Sequence, residues 1–178
     1  MISKIALVGL FFATTSQLRA EALDGYLGLS GGLITHMTPS EQASGSTRYG
    51  ARLDFVRVQK SVALDLRFGS GMDYQDMGGA FKVFHHFAFS GTTATGLSLG
   101  GGIGSMYCSG GIGDSDAAFY DLFAPVFARV IFDMGLGFGL FVDAEYNAVL
   151  KRTLVDGGSG GNAGNRYFIG AGLAITAL

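Results

Sequence analysis

Apolar side chains recur at every second position along much of this chain. In residues 62–73, for example, Leu64, Leu66 and Phe68 alternate with Asp65 and Arg67. Successive side chains of a β-strand point to opposite faces of the sheet, so this alternation predicts a strand with one apolar and one polar face. Residues 48–58 and 136–150 have the same pattern. The pattern therefore predicts an all-β protein.

Eight segments of this kind follow one another, and each is long enough to cross a bilayer at a tilt. We predict strands at Asp24–Met37, Thr47–Val58, Ser61–Tyr74, Gly79–Ser90, Thr95–Cys108, Ala118–Phe132, Leu136–Leu150 and Arg166–Leu178. No run of roughly 18 apolar residues follows the N-terminal segment, so the apolar surface must be spread over strands. Only a closed sheet satisfies its backbone in lipid, and the sequence predicts an eight-stranded antiparallel up-and-down transmembrane β-barrel.

The predicted connections alternate in length along the chain. Short connections are predicted at Gln59–Lys60, Gly91–Ala94 and Asp133–Gly135. At the other end of the barrel we predict Thr38–Ser46, Gln75–Gly78, Ser109–Ala117 and Thr153–Asn165, three of them long and rich in Gly, Ser, Asn and Asp. Bacterial outer-membrane barrels have short periplasmic turns and longer external loops, so we expect both termini in the periplasm.

The N-terminus has the layout of a secretory signal peptide. Lys4 precedes an apolar run, Ile5–Ala13, that is too short to span a membrane and is followed by polar and small residues. Cleavage is expected after Ala20 or Ala22, and the second site gives the better A-x-A match. Residues 1–22 are therefore predicted to be a signal peptide, and residues 23–178 a single barrel domain in the bacterial outer membrane.

Charge and cysteine content exclude some partners. The net charge of −2 gives no support to a nucleic-acid partner. The single cysteine, Cys108, cannot form an intramolecular disulfide and leaves a thiol that is either buried or lightly reactive. No metal or cofactor is predicted.

Histidine and tyrosine positions follow from the same alternation. His85 and His86 are adjacent in a predicted strand, so they point to opposite faces and cannot form a metal pair; the alternation directs His85 toward lipid. The seven tyrosines lie mostly toward predicted strand ends, which predicts a girdle at the membrane interface.

In strand number, alternation and connection lengths the chain resembles the small eight-stranded outer-membrane barrels, the group that includes the OmpA transmembrane domain, OmpX and OmpW. It departs from them at its last residue, Leu178, where such proteins commonly have an aromatic residue that the barrel assembly machinery recognises. The resemblance implies a monomer that is inserted by this machinery and surrounded by outer-membrane lipid and lipopolysaccharide.

Ten charged residues share the predicted inner face, with the two signs in equal numbers: Arg48, Arg52, Asp54, Asp65, Arg67, Lys82, Asp121, Arg129, Asp143 and Glu145. An eight-stranded barrel is just wide enough for its side chains to fill, and an unpaired charge inside it is costly. We therefore expect pairs such as Asp54 with Arg67 and Lys82 with Asp65 in a packed polar plug. A narrow solute pathway is the alternative. The many inward glycines are predicted to make room for Arg and Lys stems or for water.

Two classes of function stay open. The first is a non-enzymatic barrel with a role in envelope structure, surface interaction or limited small-solute passage. The second is an outer-membrane enzyme that modifies lipid A as an acyl hydrolase or transferase, in which His36 near the outer rim would act with Asp73 and a serine such as Ser70 or Ser105. No spacing among these residues is diagnostic, so no catalytic residue is predicted. A soluble ligand-binding barrel would have an apolar interior, which the inward charges exclude.

Overall fold

A computed structural model of the chain describes residues 25–37, 47–71, 74–89, 95–110, 118–155 and 164–175. These residues form eight strands: β1 (Gly25–Met37), β2 (Thr47–Arg57), β3 (Val62–Gly71), β4 (Tyr74–Ala88), β5 (Gly96–Gly110), β6 (Phe119–Gly135), β7 (Phe138–Leu154) and β8 (Asn165–Ile175). Each strand is antiparallel to its neighbours and β1 pairs with β8, so the sheet is closed and has no free edge. The predicted eight-stranded up-and-down barrel is confirmed. Among the described residues, no helix is long and apolar enough to cross a membrane.

The strands are staggered around the barrel. Following Cα partners once around leads from Leu99 on β5 to Ser109 on the same strand, a displacement of 10 residues. The path is Leu99, Ala128, Ala144, Ile169, Leu33, Tyr49, Ser70, Gln75 and Ser109. Such a stagger tilts the strands against the barrel axis. Side chains that meet in the lumen are therefore often not register partners.

The two faces of the wall have opposite polarity. On the outer face, Leu64, Leu66 and Phe68 of β3 and Phe138 and Leu140 of β7 are exposed, which confirms the faces predicted for these strands. Asp65 and Arg67 of β3 and Asp143 and Glu145 of β7 point inward and are buried. A water-soluble barrel would have the reverse arrangement.

Apolar clusters lie toward both ends of the lumen. Gly25, where β1 begins, and Ile175, where β8 ends, lie at the same end of the barrel, which we call the terminal end. We call the opposite end the loop end. The terminal-end cluster consists of Tyr26, Val56, Val58, Ala63, Phe84, Phe127, Ile131, Phe141 and Ala174. The loop-end apolar cluster consists of Ala80, Met106, Cys108, Phe119 and Phe123, with Leu154 packed against it.

Two predicted connections are wrong. Residues 75–78 belong to β4 and pair with residues 67–70 of β3. Glycine there serves close strand packing rather than a turn, because a Cβ atom on Gly78 would lie 2.3 Å from the carbonyl oxygen of Ser105. The turn predicted at Asp133–Gly135 lies at Leu136–Gly137, where the φ angles of 59° and 80° allow a tight reversal.

Several predicted features fall outside the described residues. These are the signal peptide with its cleavage sites at Ala20 and Ala22, the connections Thr38–Ser46 and Gly91–Ala94, and residues 111–117, 156–163 and 176–178. The ends of two predicted loops are strand instead, since Ser109 belongs to β5, Thr153 to β7 and Asn165 to β8.

Candidate functional site

Eight charged side chains from five strands meet in the middle of the lumen. We call them the central network: Arg52, Asp54, Asp65, Arg67, Lys82, Arg129, Asp143 and Glu145. Four are cations and four are anions, and none is more than 6% exposed. Because charge leaves water at a high cost, such a cluster persists only when each charge has a close partner of opposite sign.

Glu145 of β7 is the shared acceptor of three cations. Its Oε2 accepts hydrogen bonds from Arg52 Nη1 at 2.7 Å and from Lys82 Nζ at 2.6 Å. Its Oε1 accepts one from Arg67 Nη1 at 2.5 Å. The three cations lie on β2, β4 and β3, so this carboxylate connects β7 to strands across the lumen.

Asp65 is a second carboxylate that pairs with Arg67 and Lys82. Arg67 donates to both of its oxygens, from Nε and Nη2, at 2.8 Å each. Lys82 Nζ lies 2.5 Å from Asp65 Oδ2 and thus bridges Asp65 and Glu145. Bidentate geometry of this kind fixes a guanidinium in orientation as well as in position.

Arg129 of β6 organises the network toward the terminal end. Its Nη2 donates to Asp54 Oδ2 at 2.7 Å and to Asp143 Oδ2 at 2.6 Å, and its Nη1 donates to the hydroxyl of Tyr26 at 3.1 Å. Tyr26 thus faces the lumen and does not belong to the predicted interfacial girdle. The expected pair of Asp54 with Arg67 is also wrong, because Arg67 is held by Asp65 and Glu145.

Phenyl rings support three of these guanidinium groups. Arg52 stacks on Phe168 at 3.8 Å, Arg129 on Phe141 at 4.2 Å and Arg67 on Phe123 at 4.7 Å. Glycines of the wall leave room for the rings: a Cβ atom would approach the ring to 2.5 Å at Gly170, 2.6 Å at Gly172 and 2.3 Å at Gly104. These inward glycines make room for the phenyl rings on which the guanidinium groups stack. The predicted role, room for Arg and Lys stems or for water, does not hold at these three positions. A cation over a ring face gains further when it is desolvated.

A second group of charges lies nearer the loop end. We call Asp121, Arg152 and Arg166 the loop-end charge cluster. Arg152 donates to the two oxygens of Asp121 at 2.8 Å each, and Arg166 also donates to Asp121. Arg166 further donates to the buried Sγ of Cys108 at 3.3 Å. The Arg152 side chain is 13% exposed, whereas that of Asp121 is fully buried.

A β-bulge brings Arg152 to the inner face. Leu122 pairs with Lys151 and Phe123 with Val149, so Leu150 is an extra residue in β7. Unbroken alternation from Glu145 would direct Arg152 outward; the extra residue reverses the faces beyond it. Sequence reasoning therefore missed Arg152. It also missed buried Asp76, which was assigned to a connection, and Arg166, whose inward position follows from the alternation of Tyr167 and Ile169.

The remaining predicted residues do not converge on a site. The side chains of Arg48 and His36, and all of Asp73, lie outside what the structure describes. Ser70 and Ser105 are exposed on the outer face. His85 also lies on the outer face, with its ring 4.5 Å from that of Phe87, while His86 Nδ1 points inward at 2.9 Å from Ser98 Oγ.

Two small cavities border the central network. A cavity of about 10 Å³ is bordered by Tyr26, Asp54, Lys82 and Arg129. A second cavity, of about 20 Å³, lies between Arg52 and Arg166. Each has room for about one water molecule. Within the described residues, no group of three His, Cys, Asp or Glu side chains is placed to hold a metal ion.

The solved structures that are similar to this chain include two small barrels. Neisserial surface protein A (NspA) is 11% identical with a TM-score of 0.62, over 86% of this chain and 97% of that chain. The N-terminal β-barrel domain of Pseudomonas aeruginosa OprF is 12% identical with a TM-score of 0.49, over 85% of this chain and 99% of that chain. No protein-family model and no curated protein sequence matches the chain. The likeness to NspA shows that the chain has the fold of the small eight-stranded outer-membrane β-barrels.

Proposed function

We propose that this protein is a non-enzymatic β-barrel of the bacterial outer membrane, with a lumen closed by the central network. Its role would lie in envelope structure or in surface interaction through the loops. The observation that carries this proposal is the reversed polarity of the wall. Large apolar side chains cover the outside while the eight charges of the central network are buried inside, and such a surface is stable in lipid but not in water.

Limited solute passage is the less favoured role. Each charge of the central network has a partner of opposite sign within hydrogen-bond distance, and the cavities beside it hold about one water molecule each. Apolar clusters lie on both sides of the network along the lumen. An ion crossing the barrel would have to separate several pairs at once, which costs far more than passage through a wet pore.

We further propose that both termini lie in the periplasm. The described turns at the terminal end are short, at Gln59–Lys60 and Leu136–Gly137. Short turns are typical of the periplasmic side of outer-membrane barrels. Cysteine labelling of intact cells tests this orientation: a Gln59→Cys variant should react only after the outer membrane is made permeable.

Conductance in planar bilayers tests the closed lumen. We expect small or absent conductance from the purified, inserted protein, because the central network fills the cross-section. Insertion is verified separately by co-sedimentation with vesicles. A large, stable, ohmic conductance from single barrels would overturn the closed lumen and favour a porin-like role. Lipid A mass spectra from cells with and without the protein should be identical; a lost or added acyl chain would establish the enzymatic alternative.

A further inference from the structure

The two turns described at the terminal end differ in chemistry. The β2–β3 turn is polar and cationic, with exposed Gln59 and Lys60 next to Arg57. The β6–β7 turn is apolar, with Met134 and Leu136 both exposed. In a closed eight-stranded barrel these turns lie four strands apart, on opposite sides of the rim.

We define the β6–β7 tip as residues 132–138. Four large apolar side chains of this tip are exposed. They are Phe132, Met134, Leu136 and Phe138, exposed by 48%, 44%, 62% and 52%. The only ionisable side chain of the tip, Asp133, accepts a hydrogen bond from the Gly135 backbone N–H at 2.9 Å. Its carboxylate thus helps to form the turn.

The backbone of the tip makes its apolar character more unusual. Leu136 has a φ of 59°, in the left-handed region that Gly, Asn and Asp occupy most readily. A polar turn residue would suit this position better if the tip were in water. Burial of the leucine side chain in lipid or against protein would offset part of the cost of this backbone conformation.

The tip also continues the lipid-facing surface. β6 and β7 are the longest strands, with 17 residues each. The register of β6 with β5 ends at Ile131, and beyond it the Asp133 backbone N–H donates to Thr95 Oγ1 while the strand continues to pair with β7. Phe132 and Phe138 are on the same outer face as Leu140 and Val142. The apolar outer face therefore extends to the end of this hairpin.

We propose that the β6–β7 tip is a membrane anchor that inserts into the acyl region of the phospholipid leaflet at the terminal end. The cationic β2–β3 turn lies at the level of the lipid phosphates, so the barrel is inclined to the bilayer normal. Continuity of the tip with the lipid-facing surface favours lipid over a protein partner, and Lys60 and Arg57 complement anionic headgroups. This inference rests on the proposed membrane location.

Single tryptophans can measure the depth of each turn, because the chain contains no Trp. The variants are Leu136→Trp and Met134→Trp in the tip, Gln59→Trp in the β2–β3 turn and Phe81→Trp on the outer face as the lipid control. Each barrel is folded into phosphatidylcholine–phosphatidylglycerol vesicles with or without brominated acyl chains. We expect brominated lipid to remove most of the fluorescence of both tip variants and of Phe81→Trp. Aqueous iodide should quench Gln59→Trp instead.

The outcomes separate this inference from the proposed function. If iodide quenches both tip variants while brominated lipid quenches Phe81→Trp, the barrel is in the membrane but the anchor is wrong, and a water-exposed or protein-bound tip replaces it. If brominated lipid fails to quench Phe81→Trp, the membrane location itself is wrong. Equal lipid quenching of Gln59→Trp and the tip variants would overturn the inclined barrel. If Leu136→Trp does not fold, Met134→Trp decides the outcome, because Met134 does not have the left-handed backbone conformation of Leu136.

Discussion

The central network and the loop-end charge cluster use the same chemistry in two different settings. In the central network, three cations share Glu145, and all eight members are buried in the middle of the barrel. In the loop-end charge cluster, two guanidinium groups share Asp121, and Arg152 keeps part of its side chain exposed. Loss of a charged partner is expected to lower the free energy of unfolding most where no water can replace that partner.

The largest effect should follow loss of the shared acceptor in the central network. Glu145→Gln keeps the side-chain volume but leaves four cations with three anions. We expect the free energy of unfolding to fall by about 3–5 kcal/mol, as for other buried ion pairs that lose one member. Urea titration of the barrel in phospholipid vesicles measures it. A loss no greater than that of the equivalent loop-end change would show that the two sites are equally solvated.

That equivalent change is Asp121→Asn. Arg152 can turn its guanidinium toward water when the carboxylate is lost, so only Arg166 is left buried with a weaker acceptor. We expect the free energy of unfolding to fall by about 1.5–3 kcal/mol, the range for hydrogen bonds to charged groups. The same urea titration applies. A larger loss than for Glu145→Gln would contradict the comparison.

The same two sites show what sequence can and cannot predict. Every described member of the central network lies on a strand segment with unbroken alternation, so side-chain parity alone directs it inward. Arg152 follows a bulge at Leu150, and parity fails beyond a bulge because one extra residue reverses the faces. No pattern in residues 148–152 marks where pairing slips, since that depends on contacts with β6.

The predicted pairs inside the lumen hold only in part: Lys82 with Asp65 is confirmed, whereas Asp54 with Arg67 is wrong. Asp54 and Asp65 are register partners, as are Arg52 and Arg67, so neighbouring strands place like charges side by side. Some partners of opposite sign are nevertheless local, since Arg129 and Asp143 are register partners and Arg67 holds Asp65 of its own strand. The bonds to Glu145 cross the lumen, where the stagger of the whole barrel decides which side chains meet. The predicted interfacial girdle is wrong for Tyr26, because its hydroxyl accepts a hydrogen bond from Arg129 inside the barrel.

A smaller loss of stability should distinguish inward glycines, which border the phenyl rings beside the central network, from outward glycines. In Gly170→Ala, the new methyl group would overlap the Phe168 ring at 2.5 Å and so disturb the Arg52 stack. We expect a loss of about 1–3 kcal/mol in unfolding free energy, typical of overpacking. Gly31→Ala is the matched control, since the nearest atom to its Cβ lies 3.9 Å away. Equal losses in both variants would indicate a backbone effect rather than a clash with the ring.

Coupling energies within each site are differences between free energies of unfolding, and two double-mutant cycles measure them. Lys82→Met with Glu145→Gln removes one charge of each sign and leaves three cations with three anions, so the double variant should be less destabilised than the sum of the single variants. We expect a coupling of about 0.5–3 kcal/mol, with this pair near the upper end. Arg152→Met with Asp121→Asn should lie near the lower end, because Arg152 is partly exposed and Asp121 keeps Arg166 when Arg152 alone is lost. Strict additivity for Lys82 and Glu145 would mean that water screens both charges. The lumen would then be a wet channel, and the absence of conductance expected above would have to come from the apolar clusters at its ends.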